Sequence, residues 1–142
     1  MQQFKIGNIT VGQNLPPVVI VELGINHNGD LDFAIEIADK AISAGATIIK
    51  HQTHVVDDEM SYEAKSIIPA NSKKTIFDII QKCALSEKDE KKLMNYIVSR
   101  KKVFISTPFS RAAADRLGKF NIPAFKISVF NFCLIVLLFC FS

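Results

Sequence analysis

The sequence runs to 142 residues, 49% of them hydrophobic and 22% charged, which allows one domain with a real core and excludes a disordered chain. Its net charge of +3 is modest, and Lys and Arg are interleaved with Asp and Glu, so nucleic acid is not an expected partner while small anionic ligands remain open. The three cysteines, Cys83, Cys133 and Cys140, support neither a disulfide framework nor a zinc site, and a reducing cytoplasm is the default location.

The N-terminus, MQQFKIGNIT, lacks the charged and then apolar layout of a secretory signal, and FKIGNITVG reads as a small hairpin. PPVVIVELG, residues 16–24, is a short β-branched run with turn signals on both sides, which suits a strand covered on both faces. Asn28, Gly29 and Asp30 then supply turn and cap chemistry for a helix carrying Ala34, Ile37, Ala38, Ala41 and Ile42, which Gly45 stops. A second strand is expected over residues 46–53, followed by a long connection with short helical pieces near 61–66 and 75–83. Ser86 with Asp89 opens a polar-faced helix carrying Leu93, Met94, Ile97 and Val98. KVFISTP, residues 102–108, is a third strand, Ser110 opens a third helix ending near Gly118, and IPAFKI, residues 122–127, starts a fourth strand. Alternating β and α units imply a parallel sheet with right-handed crossovers, as an open doubly wound sheet or as a portion of an eight-stranded barrel. No glycine-rich dinucleotide fingerprint or P-loop follows any strand, which argues against the first.

In both architectures ligands sit at the C-terminal ends of the strands. Each of these strands finishes on polar groups: Glu22, then Lys50 and Gln52, then Ser106 and Thr107, then Lys126. Side chains alternate along a strand, so Lys50 and Gln52 share a face with Ile48 while His51 takes the other. Two lysines, a carboxylate and a hydroxyl converging there suit a phosphate or carboxylate ligand, with a partly buried Glu22 as general acid or base.

Each residue also has a plainer reading. Glu22 suits a structural acid paired with a strand-end lysine, and Lys50 and Lys126 suit side chains that snorkel outward. His27, in the turn after the first strand, suits a backbone hydrogen bond as well as a ligand contact. His51 is expected to pack toward a helix, and His54 lies past the strand end; HxxH spacing on extended chain does not aim both rings at one metal, so a zinc pair is rejected. Asn71 is a plain loop residue on these grounds, and KDEKK, residues 88–92, reads as a solvated helix face.

VELGINHNGD, AGATIIKHQTHVVDDEMS, IIPANSKKTIFDII, KCALSEKDE, FISTPFSRAAADRL and IPAFKI together closely resemble the N-terminal half of the bacterial sialic acid synthases, the N-acetylneuraminate synthases and their legionaminic and pseudaminic acid relatives. The resemblance is near-continuous over residues 18–127. It implies an α/β fold of parallel (β/α) units forming roughly the first half of a TIM-type (β/α)8 barrel, here truncated, in a family that adds an antifreeze-like domain and works as a domain-swapped homodimer. It implies a reaction in which phosphoenolpyruvate condenses with an N-acyl hexosamine such as N-acetylmannosamine, assisted by a divalent cation, Mn2+ or Mg2+. Carbon 3 of the enol phosphate attacks the sugar aldehyde, water adds at carbon 2, and phosphate leaves with C–O cleavage. By match to the family motifs, Glu22 is the active-site acid, Lys50, Thr107 and Lys126 contact phosphoenolpyruvate, and Gln52 and Asn71 contact the sugar. Only the resemblance nominates Asn71.

The sequence also departs from the family. After the fourth strand the family reads approximately FKIGSGE, whereas this chain reads FKISVFNFCLIVLLFCFS. The serine and glutamate of that motif are absent, as are the later metal-binding histidines and the antifreeze-like domain. Leu23 and Ala70 replace the usual Ile and Gly. On this reading residues 1–127 are half a barrel and residues 128–142 an aberrant tail. That tail is almost wholly Phe, Leu, Ile, Val and Cys, too short to span a bilayer comfortably, and suits an out-of-frame reading of a T-rich gene. Half a barrel leaves open strand edges and an uncovered inner face, so an inactive chain prone to association is expected. Two other readings stand beside it: a non-catalytic fragment or partner of a full-length synthase, and an aldolase-type barrel lyase using a Schiff-base lysine.

Overall fold

The computed structural model describes residues 3–128; the expected tail lies otherwise outside them. Gln3–Ile6 (β1) and Ile9–Gly12 (β2) form the expected antiparallel hairpin. Three parallel strands follow, Ile20–Gly24 (β3), Ile48–Thr53 (β4) and Val103–Pro108 (β5), in the order β3-β4-β5. Strand β3 is shorter than the apolar run that announces it. Pro16 and Pro17 have no N–H to give a ladder, and Val18 and Val19 stay outside the pairing.

Helix Leu31–Ser43 (α1) crosses from β3 to β4; Asp30 caps it by accepting a hydrogen bond from the Phe33 N–H at 3.0 Å. The long connection after β4 holds Val56–Glu59 (α2), Tyr62–Lys65 (α3) and Ile76–Cys83 (α4). Helix α2 was not foreseen, being too short for an apolar period. It is tied down from outside, by the Asp58 carboxylate accepting from the Ala112 N–H at 2.8 Å. Glu87–Ser99 (α5) starts on a Ser86 cap and leads into β5. Arg111–Phe120 (α6) starts on a Ser110 cap but runs past Gly118, ending where Asn121 takes a left-handed φ of 54°. Asn adopts that conformation readily, so the helix needs no glycine to stop.

The expected fourth strand is reduced, among the described residues, to one parallel bridge between Ser106 and Phe125. Pro123 has no N–H to donate at its start. The remaining expectation holds: these are parallel β/α units making up part of a TIM-type (β/α)8 barrel.

Two apolar layers flank the sheet. On the helix side Leu23, Ile49 and Phe104 pack with Ala34, Ala38, Leu93, Ile97 and Leu117. On the inner side Ile48, Val103 and Ile105 pack with Ile6 and Ile9 of the hairpin, which covers this face below the strand ends. Full burial of each large side chain contributes about 1.5–3 kcal/mol, so the sheet is anchored from both faces. No helix among the described residues is long and apolar enough to cross a membrane.

Candidate active site at the strand ends

Parallel pairing sets Glu22 beside Lys50, Lys50 beside Ile105, and Gln52 beside Thr107. Paired residues share a face, so Glu22, Lys50, Gln52 and Thr107 form a polar patch directly beyond the inner layer of Ile48, Val103 and Ile105. Lys50 and Glu22 form an ion pair in which the lysine side chain is 13% exposed and the carboxylate side chain 42%. Glu22 is thus the outer member, more open than a partly buried acid. Thr107 is 2% exposed, and its hydroxyl has no hydrogen-bond partner among the described residues. Ala124 packs on the inner layer and Phe125 on the helix-side layer, so alternation gives exposed Lys126 the inner face. Its N–H donates to the Ser106 carbonyl at 2.9 Å. Asn71 lies in an exposed turn between α3 and α4 and makes no hydrogen bond to the others among the described residues.

The turn after β3 shapes this patch. The ladder shifts register between Glu22 and Gly24, a bulge that re-aims the strand end. Gly24 has a φ of +57°, and a Cβ there would lie 3.6 Å from Glu22 Oε1 and 3.7 Å from Gln52 Nε2. Gly29 has a φ of +79°, and its missing Cβ would sit 2.3 Å from the Lys82 carbonyl oxygen. Only glycine lets the turn close on the end of α4.

Opposite the patch, on the helix side, lies a buried polar network that sequence reasoning missed. Glu90 of α5 is 1% exposed. Its carboxylate accepts from the Thr53 hydroxyl and, at 3.2 Å, from Arg116 Nη1; Thr53 in turn meets Ser106 Oγ at 2.7 Å. The solvated reading of residues 88–92 therefore fails at Glu90. The signal was present, since Glu90 precedes Leu93 and Ile97 by three and seven residues and belongs to their stripe. Burial pushes the Glu90 carboxyl up from its ordinary value, against the pull of its Thr53 and Arg116 bonds.

His51 packs on the helix side as expected, 1% exposed, with its ring 5.3 Å from that of His27. Burial, reinforced by the neighbouring His27 and His54, pushes the His51 pKa down to about 3. His51 is therefore neutral near pH 7, and its 3.7 Å approach to Glu90 is not an ion pair there. His27 accepts from the Gly29 N–H at 3.1 Å through Nδ1, one of the two roles the sequence left open for it, and its pKa is also lowered, mainly by burial. His27 Nε2 and His51 Nδ1 make no side-chain hydrogen bond among the described residues, and both rings face the Gly24 backbone.

Among the described residues no three His, Cys, Asp or Glu side chains are placed to hold a metal together. Glu22, the one carboxylate on the patch among the described residues, is paired with Lys50. These residues do not by themselves fit a divalent cation.

The NeuB family pattern matches residues 19–139. The chain belongs to the NeuB family. It is 35% identical over 128 residues to an uncharacterised protein of Methanocaldococcus jannaschii, covering 90% of this chain and 35% of that one. It is 33% identical over 115 residues to the N,N'-diacetyllegionaminic acid synthase of Campylobacter jejuni, covering 78% and 34%. Its structure superposes with a TM-score of 0.80 and 26% identity on an N-acetylneuraminic acid (sialic acid) synthetase from Leptospira borgpetersenii solved in complex with citrate, covering 96% and 45%. This NeuB chain thus spans about a third of the length of the curated relatives it matches.

Proposed function

We propose that this NeuB chain carries the phosphoenolpyruvate-binding side of a nonulosonic acid synthase site. The observation that carries the reading is the buried Thr107 hydroxyl, unpartnered among the described residues, on the same face as Lys50. A buried hydroxyl without a partner is destabilising unless a ligand completes it. Membership of the NeuB family, with relatives named as synthases of legionaminic, pseudaminic and sialic acids, supports phosphoenolpyruvate and an N-acyl hexosamine such as N-acetylmannosamine as substrates.

On this reading the Lys50 ammonium, with Lys126 beyond it, balances the phosphate and carboxylate of phosphoenolpyruvate, and Thr107 donates a hydrogen bond to one of their oxygens. Lys50 exchanges part of its bond to Glu22 for the incoming anion, which leaves the carboxylate free to act on protons. Carbon 3 of the enol then forms the bond to the sugar aldehyde as its C=O opens, Glu22 takes a proton from the water adding at carbon 2 and passes it to the former aldehyde oxygen, and phosphate leaves by C–O cleavage with the remaining proton as carbon 2 becomes a ketone. Gln52, and Asn71 from its turn, meet the sugar.

Titration calorimetry tests this reading with phosphoenolpyruvate and the 142-residue chain. Saturable binding that is lost in Lys50→Met supports it; no binding, or binding indifferent to Lys50→Met, contradicts it. With Mn2+ and N-acetylmannosamine added, a polypeptide of these residues alone is expected to release no phosphate.

A further inference from the structure

His54 lies one residue beyond β4 with both ring nitrogens engaged. Nδ1 is 2.8 Å from Glu59 Oε2 and Nε2 is 3.4 Å from Gln52 Oε1, while the ring stacks on Phe109 at 4.5 Å between centroids. The His54 side chain is 3% exposed and that of Glu59 12%. Glu59 is held in turn, because α2 is fixed by buried Val56 and by the Asp58 bond to the start of α6.

The hydrogen count constrains this chain. A carboxylate accepts only, so His54 Nδ1 carries a hydrogen. His54 Nε2 then either donates to the Gln52 carbonyl or accepts from the Gln52 NH2, and whichever end it takes, the other is left for the inner face. There Gln52 Nε2 and Glu22 Oε1 both come within 3.7 Å of one point above Gly24. A carboxylate beside the amide favours its NH2 end. Both demands are met together when His54 donates from both nitrogens.

We propose that His54, held by Glu59 and donating from both ring nitrogens, is a positioning residue that turns the Gln52 NH2 toward Glu22 and so makes Gln52 a hydrogen-bond donor to the sugar. The amide then selects an acceptor oxygen, such as the carbonyl of an N-acyl group. This consequence rests on the sugar contact proposed for Gln52; the orientation itself does not. The groups around the ring are Glu59 of α2, Gln52 of β4 and the Phe109 ring after β5, with His27, His51 and Glu90 acting at longer range. The two neighbouring histidines, His27 and His51, are held neutral by burial.

The test is nitrogen NMR of the isotopically labelled 142-residue chain, reading the His54 ring nitrogens and the Gln52 side-chain amide. Both His54 nitrogens should carry protons in the parent, and the Gln52 amide signals should move as rising pH removes one. Glu59→Gln, which keeps the shape of α2, should give the singly protonated ring and the displaced Gln52 signals at the starting pH. It should also weaken N-acetylmannosamine binding roughly tenfold, the scale of one mispaired hydrogen bond, while phosphoenolpyruvate binding is kept. Gln52 signals that follow neither the His54 titration nor Glu59→Gln overturn the proposal, whether or not the sugar binds. If those signals do follow while N-acetylmannosamine binds neither chain, the positioning role stands and the sugar reading of Gln52 fails.

Discussion

The hydroxyls of Thr53 and Ser106 meet at 2.7 Å between neighbouring strands, and the Thr53 hydrogen goes to the Glu90 carboxylate of α5. Ser106 must therefore donate to Thr53, giving a directed chain from β5 through β4 to α5. Arg116 of α6 closes it at 3.2 Å. This knot lies immediately behind the residues that form the inner patch.

Removing the cation leaves the buried Glu90 carboxylate with the Thr53 hydroxyl and a neutral His51 beside it. Arg116→Met should lower the unfolding free energy by about 3 kcal/mol, and Glu90→Gln, which keeps an acceptor for Thr53, by clearly less. Urea denaturation of the two variants checks the order; equal losses would remove the charge argument.

His51 makes a signed contribution to acid stability. Its pKa falls from an ordinary 6.5 to about 3 on folding, so the unfolded chain takes the proton first. The contribution is complete above pH 6.5 and is lost as the pH falls from 6.5 toward 3. His27, also lowered, acts in the same sense, whereas Glu90, raised above 4.5, acts in the opposite one because its charge penalty is relieved when acid protonates it in the fold. Comparison with His51→Leu isolates the term: the stability of the parent relative to the variant should be up to about 2 kcal/mol lower at pH 5 than at pH 7. A difference independent of pH would contradict a neutral buried His51.

Gly29→Ala should be strongly destabilising for its size. The new methyl would sit 2.3 Å from a backbone carbonyl of α4 while φ stays at +79°. A loss above about 2 kcal/mol in thermal unfolding is expected; a neutral result would mean the turn does not close on α4 in solution.

Glu22 and Lys50 should separate by sign. Lys50→Met removes the partly buried cation and should weaken phosphoenolpyruvate binding at least about tenfold. Glu22→Gln removes the competing anion and should leave that binding unchanged or tighter. Parallel calorimetric titrations decide, and a loss in both variants would mean that the ion pair itself supports the patch.

The strand-end positions were legible because two simple periodicities coincide: the apolar β4 run places Lys50 and Gln52 on alternate positions with Ile48, and parallel register brings Glu22 and Thr107 beside them. Caps at Asp30, Ser86 and Ser110 were legible because their side chains bond three residues ahead. The Glu90 network was not, since its partners Thr53, Ser106 and Arg116 come from three other elements and no local window holds them together. Helix α2 and the weak pairing at Phe125 escaped for the same reason, being set by contacts with α6 and β5 and not by their own sequence.

Thr107→Val tests the central claim most directly, because it exchanges one unpartnered hydroxyl for a methyl of the same volume. If that hydroxyl waits for a ligand, its removal should raise the unfolding free energy of the ligand-free chain by about 1 kcal/mol and weaken phosphoenolpyruvate binding at least about fivefold. A variant that binds phosphoenolpyruvate as tightly as the parent would contradict the account.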